Sequence, residues 1–336
     1  MPASLAALRM PLAAGLLAVV LAAPLAGPAA AEENDGLADA VVSPLRFAAD
    51  SGLVVAEARV ALSLGRQERS WVIAAPGPSA VTTLFALALP RLDAATASLD
   101  GLVRRPGADF LGLALTIDGR PLAATIDSRA SRLGVDLTER LKADGVPVDP
   151  WTTANVEKAL AAVAPERRPF YAERGLVAWD GDAVGRFGWD VDTTLSWTAT
   201  VPAGGRVTVS EAHVPTVGTA LLSAVGLERL LARPDCRPDA ATAAALKKAL
   251  APAKGAATTT ASMSRRLRVA LADPGRPAVP LGRLAVTLET PTATTLVVAC
   301  GPLAGRRTGP TTVVFEATAI TPTADLDLLL IDPATP

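Results

Sequence analysis

Histidine, cysteine and aromatic side chains are scarce in this chain. Its 336 residues contain one histidine, His213, two cysteines, Cys236 and Cys300, and 4% aromatics. A zinc site built from several imidazoles or thiolates has no residues to draw on. The core has to be made largely from Ala, Val and Leu, whose small volumes must pack closely. Charge of one sign is also missing: 32 basic against 33 acidic residues leave a formal charge of −1. That balance gives no pull toward nucleic acid or anionic lipid, and no nucleic-acid partner is expected. The densest basic group, Arg265, Arg266 and Arg268, lacks interleaved aromatics and reads as the wet face of a strand. There is no Gly-x-Ser-x-Gly elbow, no Gly-x-x-x-x-Gly-Lys loop and no Gly-x-Gly-x-x-Gly turn. No cofactor or metal is therefore implied.

The chain opens with Arg9 and an apolar, Ala- and Leu-rich run from Met10 to Ala31. Ala29-Ala30-Ala31 fits a small-residue cleavage site, so residues 1–31 read as a signal peptide with the mature chain starting at Glu32. A retained membrane anchor is the rival reading, since the run is nearly long enough to span a bilayer. Pro24 and Pro28 speak against a continuous helix. Cleavage would place the protein in the periplasm or outside the cell, with no later segment able to cross a membrane as a helix. In that setting two cysteines suggest a disulfide between Cys236 and Cys300, worth about 4 kcal/mol in the chain-entropy model. Two buried thiols are the alternative.

Period-two alternation marks most of the rest as strand. It runs through Gly52–Leu64, Ser70–Ala75, Thr82–Leu89 and Phe110–Ile117, where Asp118-Gly119 signals a hairpin returning over Leu122–Ile126. Thr193–Gly218 reads as two strands joined by Pro202-Ala203-Gly204-Gly205, with Trp197, Val207 and Val209 toward the core. Further strands are expected over Leu267–Leu271, Leu281–Leu288, Thr295–Cys300, Thr311–Ile320 and Leu326–Ile331, after a small-residue linker, Gly255–Ser262.

Helices interrupt this pattern. Asp136 and Glu139 resemble a capping box, with Gly145 closing that helix. A second helix starts at Asp149-Pro150, carries Val156, Leu160 and Val163 on one stripe and stops at Pro165; a short third covers Glu166–Arg174. Thr219–Ala232 and Asp239–Ala251 are helical by composition and spacing. The expected fold is mainly β with helical insertions (α+β), built from antiparallel, sandwich-like sheets. Its expected divisions are an N-terminal β region at 32–128, a helical insertion at 129–178, and a C-terminal β region at 179–333 with a helical segment at 219–251.

Few residues invite chemistry. His213 would have to serve alone as a base, and a lone histidine at a strand end is more often structural. Asp325 and Asp327 are two apart and share a face if the chain is extended; Asp180 with Asp182, and Asp190 with Asp192, have the same spacing. Such pairs can work as acid and base or hold calcium, or they can be strand-edge charges and turn formers. None carries a full calcium-loop pattern.

Several strings coincide in order and spacing with one family. They are Asn34-Asp35, Ile117-Asp118-Gly119-Arg120-Pro121, Leu133-Gly134-Val135-Asp136 and Gly145-Val146-Pro147. Trp197, Pro202-Ala203-Gly204, His213, Pro215 and Val217-Gly218 follow, then Cys236, Cys300-Gly301, Thr321-Pro322-Thr323 and Asp325-Leu326-Asp327. The chain resembles DUF4424, a bacterial family of exported proteins, over essentially all of its mature length. Val214 departs from it, standing where an aromatic is expected. The resemblance implies compartment and architecture and brings no activity. The expectation is an exported, non-enzymatic module that binds a protein or glycan of the cell envelope. The alternative is an envelope hydrolase or calcium-dependent enzyme using the paired aspartates.

Overall fold

The computed structural model describes residues 41–93, 111–148, 153–236, 238, 240–249, 261–273 and 276–332. The signal-peptide reading of residues 1–31, Asn34-Asp35, the helix start at Asp149-Pro150 and most of the linker from Gly255 lie outside them. In chain order the first elements are β1 (Arg46–Phe47), β2 (Val54–Leu62), β3 (Gln67–Ala74), β4 (Val81–Ala88), β5 (Leu92–Asp93), β6 (Ala114–Ile117), β7 (Arg120–Pro121), β8 (Thr125–Arg132) and β9 (Val135–Asp136). A helical block follows with α1 (Thr138–Ala143), α2 (Thr153–Ala161) and α3 (Arg168–Glu173), closed by the hairpin β10 (Val177–Asp180) and β11 (Ala183–Phe187). Then come β12 (Asp190–Val201), β13 (Arg206–His213), β14 (Gly218–Ser223), α4 (Ala224–Ala232) and α5 (Ala240–Ala249). The last strands are β15 (Ala261–Val269), β16 (Leu281–Glu289), β17 (Leu296–Cys300), β18 (Gly305–Arg307), β19 (Thr312–Ile320) and β20 (Leu326–Ile331).

Three sheets carry the body. One has the order β1-β4-β12-β8-β9 with β5 beside β12, one the order β18-β19-β16-β2-β3-β13-β6-β7, and one the order β14-β15-β20-β17. Mainly β with helical insertions is therefore the architecture. All described pairings are antiparallel except β16 with β2. One apolar core joins the three sheets: Phe85 and Trp197 from the first, Ile73, Val209 and Val286 from the second, Leu267 and Leu328 from the third. Strands from both halves of the chain interleave, so the expected N- and C-terminal β regions share sheets and a core.

The segment read as a hairpin, Thr193–Gly218, is not one. β12 pairs with β4 and β8, and β13 with β3 and β6, in different sheets. The Pro202–Gly205 turn is an arch that carries the chain across the sandwich. The Pro76-Gly77-Pro78 turn does the same between β3 and β4, and Gly204 N donates to Gly77 O at 3.1 Å. Both flanking strands have an apolar face. Facing those surfaces across two sheets buries more than laying the strands side by side would. Trp197 lies in the core as expected, its ring 5.9 Å from that of Phe85, its partner on β4.

Asp118 and Gly119 do make a tight turn, with φ of 49° and 76°, but the return strand β7 stops at Pro121. The chain then crosses to the other sheet, and β8 and β9 occupy ground expected to begin the helical insertion. Asp136 Oδ1 accepts from Thr138 N at 2.8 Å, whereas Glu139 pairs with Lys142 rather than reaching back. Gly145, at φ 68°, ends α1; its N–H donates to Lys142 O, and that of Val146 donates to Leu141 O. Val156, Leu160 and Val163 pack with Leu141, Tyr171 and Trp189 into a second core. Thr219–Ser223, expected to be helical, belongs to strand β14. Ser223 Oγ accepts from Gly226 N and caps α4, so the start signal for that helix lies at Ser223.

Candidate functional site

Alternation on the third sheet decides which side chains meet. On its helix-facing side Ala220 of β14 lies opposite Ser264 of β15, Gly218 opposite Arg266, and Leu222 opposite Ser262. Across β15 and β20 the same face continues as Arg266 beside Leu329 and Arg268 beside Asp327, and Asp327 in turn lies beside Cys300 of β17. α4 packs over this face with Leu227 and Leu230, and a third core forms there with Leu246, Val298 and the sulfurs. A disulfide joins Cys236 to Cys300 and pins the segment between α4 and α5 to β17. Gly301 N donates to Asp235 O at 2.8 Å beside it.

This corner is rich in arginine. Asp327 accepts from Arg266 at 2.8 Å and from Arg268 at 2.6 Å. Burial would raise its pKa, but the hydrogen bonds and charges of the two guanidiniums outweigh that and hold its carboxyl below the usual range. Arg233 grips Asp235 at 2.7 Å. Asp325 Oδ1 accepts from Leu271 N and Ala272 N, at 3.0 and 3.1 Å, and fixes that turn. Two grooves flank the cluster. One of about 350 Å³, between α4 and the sheet, is lined by Ala220, Leu222, Arg229, Leu230, Arg233 and Arg266, among others. The other, of about 540 Å³ and more open, includes Asp235, Arg268, Cys300, Asp325 and Asp327.

A second charged group is sealed inside the body. β3 and β13 pair Arg69 with Glu211 and Gln67 with His213, all on the inward face. Arg69 donates through Nε to Glu211, through Nη1 to Val42 O at 3.0 Å and through Nη2 to Ser43 O at 2.9 Å. Its guanidinium also lies 5.1 Å from the Trp71 ring centroid. His213 Nδ1 stands 3.5 Å from Glu211 Oε1. Burial pushes the Glu211 carboxyl up, yet the Arg69 charge and the contacts from His213 and Arg69 prevail and depress it. In the helical block, Asp144 is likewise sealed, accepting from Tyr171 Oη at 2.7 Å, from Arg140 at 2.9 Å and from Arg167.

The match to known families now decides membership. The family model described as "Domain of unknown function (DUF4424)" matches residues 33–329. The chain belongs to this family. No curated protein matches it. Among solved structures, a candidate nutrient binding protein from Legionella pneumophila is similar over 87% of this chain and 71% of its own, at 10% identity and a TM-score of 0.39. An M1 zinc metallopeptidase from Deinococcus radiodurans is similar over 84% of this chain and 43% of its own, at 12% identity and a TM-score of 0.24. Likenesses this distant say nothing of activity.

In this DUF4424 chain the residues singled out from the sequence do not converge. Trp197, His213 and Asp325 belong to three different sheets or their margins, each with its own partners. Asp325 and Asp327 do not act on one point: one caps backbone amides, the other holds two arginines. Asp182 lies in the β10–β11 turn and pairs with Arg168, while Asp190 pairs with Arg91. Among the described residues no cluster of His, Cys, Asp or Glu could hold a metal ion, and no helix is long and apolar enough to cross a membrane. Arg265, Arg266 and Arg268 are not one wet face. Arg266 and Arg268 lie half-buried under the α4 side, and Arg265 pairs with Asp332. Sequence reasoning missed Arg69 and Glu211. The signal was there: Arg69 is in phase with Trp71 and Ile73, and Glu211 with Val207 and Val209.

Proposed function

We propose that this protein is an exported module of the bacterial cell envelope that binds a protein or glycan partner without turning it over. In this reading the run 10–31 is removed before Glu32 and the disulfide-pinned corner presents the binding site. The observation that carries the proposal is how the charged groups are spent. Asp325 is held by amides, Asp327 by two guanidiniums and Glu211 by Arg69, while His213 is buried beside that pair. Carboxylates so engaged are poorly placed for acid–base work, which needs a group within reach of a substrate proton. The groove beside α4 remains open, lined by guanidiniums and leucines, which is chemistry for recognition.

The test uses the mature chain purified from the periplasm. Its N-terminal sequence is expected to begin at Glu32, and calorimetric titration with envelope glycan fragments or cross-linking in intact cells is expected to give saturable binding without product. Hydrolytic turnover that disappears in His213→Ala would replace the binding reading with the enzyme. Heat of calcium binding together with a raised melting temperature would revive the paired-aspartate alternative.

A further inference from the structure

The groove beside α4 has a composition that specifies its ligand. Its walls carry three guanidiniums, those of Arg229, Arg233 and Arg266, and among the described residues no carboxylate lines it. Its apolar lining comes from Ala220, Leu222 and Leu230. Two of the arginines are tethered, Arg233 to Asp235 at 2.7 Å and Arg266 to Asp327 at 2.8 Å, so their planar forks are held rather than searching. Gly218 lies opposite Arg266 in the register and sets no side chain against it. Arg229 is different. It projects from the exposed side of α4 and makes no ion pair among the described residues.

We infer that this groove binds a carboxylate or phosphate carried on a short apolar stem, with Arg229 as its principal charge partner and Ala220, Leu222 and Leu230 receiving the stem. A guanidinium offers paired N–H donors that match the oxygens of either anion. The volume of about 350 Å³ admits on the order of a dozen water-sized groups, so the site takes an end group or side group and not a polymer. This assignment rests on the binding reading above and names the chemistry of what is bound.

The probes are hexanoate and hexyl phosphate, with hexanol as the same stem without charge and inorganic phosphate as the charge without the stem. Each is titrated calorimetrically into the disulfide-intact chain. One or both of the charged hexyl probes is expected to bind at least about tenfold more tightly than hexanol and than inorganic phosphate. Which head group wins separates a carboxylate source from a phosphate source. Arg229→Gln is expected to weaken that binding about tenfold with an unchanged melting temperature, because Arg229 is exposed and unpaired. Ala220→Leu, which fills the groove, is expected to abolish it. Hexanol binding as tightly as the charged probes would overturn the anionic assignment while leaving a binding module. Inorganic phosphate matching hexyl phosphate would overturn the stem. No binding of any probe, or binding untouched in Arg229→Gln, would remove the site altogether, whereas the partner-binding reading would still be decided by the glycan and cross-linking experiments.

Discussion

The two arginine–carboxylate clusters differ in how much water reaches them. Arg69 and Glu211 have side-chain exposures of 2% and 0%, whereas Arg266, Arg268 and Asp327 stand at 17%, 22% and 13%. The sealed pair spends all three guanidinium nitrogens on the protein itself: Nε donates to the Glu211 carboxylate, and Nη1 and Nη2 donate to two backbone carbonyls. It ties β3 to β13 and both to the Val42–Ser43 segment. The half-open cluster shares one carboxylate between two cations at the margin of a groove. Identical chemistry therefore serves cohesion in one place and leaves cations near solvent in the other.

The sharpest way to break this contrast is Glu211→Ala, which strands a buried guanidinium. It is expected to cost about 3–5 kcal/mol in urea unfolding, and the double change Arg69→Met with Glu211→Leu should recover most of that. A loss below about 1 kcal/mol would mean that water enters the site. Next in size is the disulfide. Cys236→Ser with Cys300→Ser is expected to lose about 2–4 kcal/mol, seen equally as a lower denaturation midpoint of the wild-type chain under reductant. Asp327→Asn should be milder, about 1–2 kcal/mol, because its arginines can turn toward solvent.

The smallest effect is that of acid. Glu211 and Asp327 both titrate below their ordinary values of 4.5 and 3.8 when folded, so the unfolded chain takes up protons first as pH drops. The stability they contribute is complete above those ordinary values and is lost as pH falls through the depressed ones. Unfolding free energy should hold steady above about pH 5 and decline below it, with a shallower decline in Glu211→Gln.

Strand positions were legible because alternation is a local property: β2, β4, β13, β16 and β20 all lie where period two places them. Their partners were not. Pro202-Ala203-Gly204-Gly205 permits a reversal but does not say whether the next strand lies beside β12 or across from it; apolar faces far away in sequence settle that. Composition made β14 look helical, because Thr219–Ala232 is Ala- and Leu-rich throughout. Only Ser223 marks the change. The disulfide was legible from two cysteines read in a chain expected to be exported. The arginine corner was half legible: Asp327 stood out, but Arg229, Arg233 and Arg266 come together only once α4 lies over the sheet.

The one parallel pairing among the described strands, in the largest sheet, bears on the order in which this molecule can be completed. β2, the second strand in chain order, hydrogen-bonds with β16, and Val55 lies in register with Leu281. No local turn can supply that neighbour. Until β16 is delivered, β2 has one flank bare, and that seam of the sheet closes late. Slow, all-at-once assembly is the kinetic signature of such distant pairings. A chain truncated before β16 should keep its early strands sticky and unfinished, prone to pair with one another instead.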